Sequence, residues 1–192
     1  MSDVRRTPPR GVTLLELMVT IGIGTMIFVI LGAIFLAQAR FFSIQDALAE
    51  TQIHAFRSID TMGLYVISAK RVVPSATING ATYSTTNSLV VLELPSINSS
   101  GALIASIYDY VALGKESATS TNFMFDMQAG TGSTRLTGKF NKAQLVDKVI
   151  FRYNAVNSAS ATAIDMYVRT KKDARGQTIY TPLGKIFYLG AL

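Results

Sequence analysis

The sequence contains no cysteine and a single histidine, His54. Those two shortages remove disulfide frameworks, cysteine zinc sites, thiolate nucleophiles and two-histidine metal sites from consideration. Charge is scarce too: 16% of the 192 residues are charged against 49% hydrophobic, where a typical soluble domain carries roughly 25% charged residues. Proline is missing from every position between Pro9 and Pro74, and no charged residue occurs between Glu16 and Arg40. A chain of this length holds one ordinary domain and an appendage, and the apolar surplus sits in the appendage.

The net charge of +6 is spread unevenly. Arg5, Arg6 and Arg10 face only Asp3 in the first eleven residues, the next sixty are balanced, and the remainder is mildly basic. Such a balance gives weak attraction to phosphates or anionic surfaces without specifying either.

Val12 to Ala37 reads VTLLELMVTIGIGTMIFVILGAIFLA, with Glu16 as its only charge. A run of this length covers the roughly 20 residues that cross about 30 Å of hydrocarbon. The arginines before it and the long polar remainder after it place residues 1–11 in the cytoplasm and the part after residue 40 outside. A cleaved secretory signal fits poorly, because the run is long for such a core and only Leu36-Ala37-Gln38-Ala39 approaches a small-residue cleavage site. A plain anchor explains everything except Glu16. A carboxylate in a spanning helix costs on the order of 2.5–3.5 kcal/mol at the bilayer centre and marks a functional position by default. A cut between Gly11 and Val12 would create an α-amino group about one helical turn from Glu16, able to neutralise it, best between neighbouring molecules.

Arg10-Gly11-Val12-Thr13-Leu14-Leu15-Glu16-Leu17 resembles the processing site of type IV prepilins and type II secretion pseudopilins. The resemblance implies that a membrane prepilin peptidase cuts after Gly11 and methylates the amine of Val12. It further implies that Glu16 sets the register against the next subunit. Arg5, Arg6 and Arg10 are then the basic residues of the leader. The partners implied are other pilin or pseudopilin subunits, the peptidase and an inner-membrane assembly platform, with no cofactor and no enzymatic activity. The localisation implied is the cytoplasmic membrane, single-pass with the N-terminus inside, and then an extracytoplasmic pilus or pseudopilus. Two features depart from the family pattern: Val12 stands where Phe or Met is usual after the cut, and the span lacks the helix-breaking proline of many major pilins. That lack and the size of the strand-rich region favour a minor subunit. The competing readings are a major pilin, or an extracytoplasmic binding protein or enzyme that keeps its leader as an anchor.

Beyond the apolar run, Leu48, Ala55, Phe56, Ile59, Met62, Val66 and Ile67 recur at helical spacing, which predicts an amphipathic continuation. One helix of roughly 60 residues is expected from Val12 to near Val72. Residues 12–39 form its membrane or filament-core half, and residues 40–73 the half packed on a globular domain. Residues 74–192 turn to a period of two, with strands expected at Leu89–Leu94, Leu103–Leu113, Phe123–Met127, Val149–Tyr153, Ala163–Thr170 and Thr178–Leu189, the last pair joined through Lys172–Gly176. The fold class expected is α+β, a long N-terminal helix packed on an antiparallel sheet, pilin-like.

Chemistry is thin in this region. Asp109, Asp126 and Asp165 fall at outward positions of three strands and read as a solvated face, and His54 reads as part of a polar helix face. Gly132 to Lys139 misses the phosphate-loop spacing, and Asp173 among Lys171, Lys172 and Arg175 is a poor site for a hard cation. Those bases with Lys139, Lys142, Lys148 and Arg152 raise DNA as a minor partner, but no aromatic binding motif interleaves them. Asn98-Ser99-Ser100 is a glycosylation sequon.

Overall fold

The computed structural model describes residues 11–190 and shows one α-helix followed by ten strands, with a single turn of 3-10 helix at Ser158–Ser160 before the ninth strand. The chain divides into two compact units, Met1–Ser43 and Ile44–Leu192. The helix α1 runs from Leu14–Ile67 and supplies an element to each. No residue within it is proline, and the back-bonded hydroxyls of Thr20 and Thr25, 2.7 Å from the carbonyls of Glu16 and Ile21, satisfy the polar side chains of its first half internally.

In the first unit every large apolar side chain of α1 is exposed. This is the stretch long and apolar enough to cross a membrane, and none of it is buried within the chain.

In the second unit α1 buries Ala47, Thr51, Ala55, Ser58, Ile59, Met62, Gly63 and Val66, a stripe spaced by three and four. It shares Ala55, Ile59, Met62 and Val66 with the expected face but differs at its edges. Phe56 and Ile67, expected inside, are exposed, while Thr51 and Ser58 are fully buried. Small residues win these positions because they let the helix approach the sheets closely. Their hydroxyls are satisfied: Ser58 donates to the His54 carbonyl at 2.9 Å, and Thr51 lies 2.8 Å from the Thr181 hydroxyl while its own carbonyl accepts from Thr170 at 2.9 Å.

The helix ends at Ile67, short of the expected Val72. Val72 and Val73 precede Pro74, and this β-branched, proline-terminated segment prefers extended backbone. It forms β1 (Arg71–Val73), paired antiparallel with β4 (Leu89–Ile97). A five-stranded sheet follows the order β1-β4-β5-β6-β7, with β5 at Leu103–Lys115, β6 at Phe123–Gln128 and β7 at Gly138–Ala143. A three-stranded sheet has the order β10-β9-β8, from Gln177–Tyr188, Ala163–Ala174 and Val146–Tyr153. All pairings are antiparallel, and the strands expected from the period of two are present, most of them longer than expected. The β9–β10 turn is Arg175-Gly176, both residues at positive φ of 51° and 80°, as a two-residue hairpin turn of the primed type requires.

Strands β1, β2 (Ser75–Ile78), β3 (Ala81–Ser84) and β7 were not among those expected. The β2–β3 hairpin turns on Asn79-Gly80, at φ 50° and 82°, a dipeptide that is itself a strong hairpin signal. This hairpin covers the second face of the large sheet. Val90, Leu92, Leu94, Val111 and Leu113 pack toward α1 and the small sheet, while Leu89, Val91, Ala112 and Met124 pack under Ile78 and Tyr83. Both faces of β4 to β6 are therefore buried. At Gly114 (φ 142°) a Cβ would collide with the Ser88 backbone, which explains glycine there.

The buried stripe carries a direct test. Met62→Ala, at a fully buried position, is expected to lower stability by about 3 kcal/mol, whereas Leu64→Ala, two residues on and 70% exposed, should change it by less than about 0.5 kcal/mol. Denaturant titration of the full chain in detergent checks both.

Candidate functional site

Thr13 stands immediately before α1, and the Leu17 amide donates to its carbonyl at 3.1 Å, the first helical bond. The Thr13 hydroxyl accepts from the Glu16 amide at 3.2 Å. In return Glu16 Oε2 accepts from the Thr13 amide at 3.1 Å and from the Thr13 hydroxyl at 3.2 Å. This is a reciprocal capping box, Thr-x-x-Glu, worth about 1 kcal/mol of helix stability. The carboxylate also lies in the first turn, where the helix dipole favours negative charge. The expectation for Glu16 rests on its isolation in an apolar run; the capping role is a further one, and the Thr13–Glu16 spacing announces it.

Gly11, Val12 and Glu16 are all exposed. Among the described residues no heavy atom lies within 4 Å of the position a Cβ would take on Gly11. Packing against the described residues does not demand glycine there. The structure thus brings Glu16 and Thr13 together just beyond Val12, in an exposed segment. Arg5, Arg6 and Arg10 lie outside the described residues.

The aspartates read as solvated are not. Asp109 is fully buried and accepts from the Ser96 hydroxyl (2.6 Å), the Gly130 amide (2.7 Å), Arg135 Nη1 (2.8 Å) and the Ser133 hydroxyl (2.9 Å). Burial by itself would push its carboxyl up, but these four donors outweigh burial and hold it below the usual carboxylate range. Asp126, 2% exposed, accepts from Asn79 Nδ2 at 2.6 Å and the Tyr83 hydroxyl at 2.8 Å, which ties the β2–β3 hairpin to the sheet. Alternation placed both outward, and the hairpin and the Gly130–Arg135 loop then cover those positions. Both carboxylates are consumed by fixed donors, so they read as structural clamps and not as acid–base partners. Asp165 is only half-buried.

Half-buried His54 accepts from the Gln144 amide through Nδ1 at 3.1 Å. Burial, with Arg57 and Lys172 nearby and Glu50 opposing, pushes its pKa down. Among the bases raised for DNA, Lys139 pairs with Glu116 and Lys172 with Glu50, while Lys142 lies over the rings of Phe125 and Phe140. Asn98 Oδ1 accepts from the amides of Ser100 and Ala102, at 3.0 and 2.9 Å, and so organises its own turn. Among the described residues no cluster of three His, Asp or Glu side chains is placed to hold a metal ion.

The two titrations act in the same direction, stability falling as pH falls, but in separate windows. His54 is held neutral when folded, so its stabilisation is complete above about pH 6.5 and is lost as pH falls through that value toward the lower folded pKa. His54→Gln should flatten that part of the stability profile. Asp109 is held ionised, so its contribution is complete above about pH 4 and is lost as pH falls toward its lower folded pKa. Asp109→Asn should cost about 3 kcal/mol at neutral pH, by leaving Arg135 without its buried partner, and should flatten the acid limb below about pH 4. Thermal or denaturant unfolding across pH reads both.

Compared with protein-family models, curated proteins and solved structures, the chain matches nothing in any of the three, and the capped start of the apolar helix is the feature from which function must be argued.

Proposed function

We propose that this chain is a structural subunit, more in keeping with a minor than a major one, of a type IV pilus-like or type II secretion filament. A prepilin-type peptidase processes it between Gly11 and Val12, and the exposed apolar half of α1 assembles it. The observation that carries this reading is the lone Glu16 carboxylate on the unburied apolar half of α1, five residues after an exposed glycine. An α+β outline, with the second half of the same helix packed on antiparallel sheets, is consistent with it.

In the bilayer, exposed Leu, Ile, Val, Met and Phe side chains contact lipid, and the Thr13 donors offset part of the cost of the Glu16 charge. Removal of the basic leader frees an ammonium at Val12. When helices leave lipid and pack on one another, that ammonium and the Glu16 carboxylate of a neighbour attract in a medium of low dielectric, where an unpaired charge is costly. Only the register that pairs them avoids this cost. The work of extraction comes from outside, from a cytoplasmic ATPase acting through the assembly platform.

Coexpression of the full chain with a prepilin peptidase, followed by mass spectrometry of the N-terminus, tests the processing step. A mature chain beginning at Val12, free or N-methylated, is expected, and an intact leader would instead make the chain a plain anchor. Glu16→Ala should still be cleaved but should drop out of sheared fibres at least tenfold, since one uncompensated charge of 1.4 kcal/mol or more is already about that factor. Retention at the normal level would remove Glu16 from the register role.

A further inference from the structure

Arg71 of β1, Glu93 of β4 and Tyr110 of β5 are directly opposite one another across three neighbouring strands. They line a cavity of about 440 Å³, within the roughly 300–1,000 Å³ of small-molecule clefts. Pro74, Ala76 and Ala159 supply apolar wall to the same cavity.

Glu93 is the unusual member. Its side chain is 2% exposed, and all its recorded partners meet one oxygen: Arg71 Nε at 3.2 Å and Nη2 at 2.8 Å reach Oε2, with the Tyr110 hydroxyl at the limit of 3.5 Å. Oε1 is buried and has no partner. A buried ion pair is stable only when the remaining lone pairs are also satisfied, and an orphaned acceptor costs about 1–3 kcal/mol. The neighbouring polar groups keep capacity as well. Arg71 is 57% exposed and its Nη1 makes no hydrogen bond among the described residues. It is held through a single carboxylate oxygen, so its planar group can shift, and the buried Oε1 meets a ligand only with such a shift.

We propose that this cavity binds a neutral polyhydroxylated ligand, a pyranose sugar unit, with one ligand hydroxyl donating to Glu93 Oε1 and a neighbouring one accepting from Arg71. The charge pattern selects this class. An anion meets the Glu93 carboxylate and a cation meets the Arg71 guanidinium, while adjacent hydroxyls each donate and accept and match both. The small apolar wall suits the C–H face of a sugar ring, and Tyr110 adds a hydroxyl able to act in either sense. This site lies on the β-rich unit and is independent of whether the chain enters a filament.

Saturation-transfer NMR tests it on the full chain in lauryldimethylamine oxide micelles, a detergent without a sugar headgroup. The probes are methyl α-D-glucopyranoside, methyl α-D-galactopyranoside and N-acetylglucosamine at about 10 mM, suited to millimolar affinity. Transfer to at least one sugar is expected, reduced about tenfold or more in Glu93→Gln and measurably in Tyr110→Phe. Two variants are used so that a folding failure in one leaves the other decisive. No transfer to any of the three sugars overturns the proposal. So does transfer unchanged in a folded Glu93→Gln chain, or preferential binding of acetate or tetramethylammonium as charged controls.

Discussion

Close contact between the second half of α1 and the two sheets is the constraint on which the globular unit depends. Ala47, Thr51, Ala55 and Ser58 are small enough to bring the helix near the sheets, and Ile59, Met62 and Val66 then fill the space against Leu92, Phe125, Phe151 and Met166. Close packing at this density leaves little room for polar atoms, so each hydroxyl in the stripe bonds either a helix carbonyl or the β9–β10 pair. The outward face, with Ile53, Phe56, Leu64 and Ile67, is left apolar and exposed.

The opposite face of the large sheet is organised by polar groups as much as by apolar ones. The β2–β3 hairpin is held by Asp126 through Asn79 and Tyr83, and the Gly130–Arg135 loop is gathered around Asp109. Such clamps fix connections whose own hydrophobic area is small. Glu93 shares their burial but not their completeness, and this sets its cavity apart from the two structural sites.

At the other end of the helix the same requirement takes a simpler form. Glu16 is the only charge in a long apolar run, and its partners come from its own helix start, so the carboxylate is hydrogen-bonded without any tertiary contact. A charge held so locally, in a segment with no buried surface, is free to exchange that partner for another. This makes the capped terminus compatible with assembly in a way that a buried salt bridge would not be.

Local features were legible from the sequence because their causes are local. The apolar run sets the exposed half of α1, Pro74 and the valines before it limit the helix, and alternation locates most strands. Asn79-Gly80 and Thr13-x-x-Glu16 carried equally plain signals, since turn geometry and capping involve neighbours only. Tertiary structure decided what depends on distant partners. Phe56 and Ser58 each lie on a plausible stripe, and only the approach of the sheets chooses Ser58. Asp109 and Asp126 alternate outward along their strands, and only chain elements 21 to 47 residues away turn that outward face into an interior. Burial of a polar side chain is a property of what covers it, and no local pattern of residues encodes that.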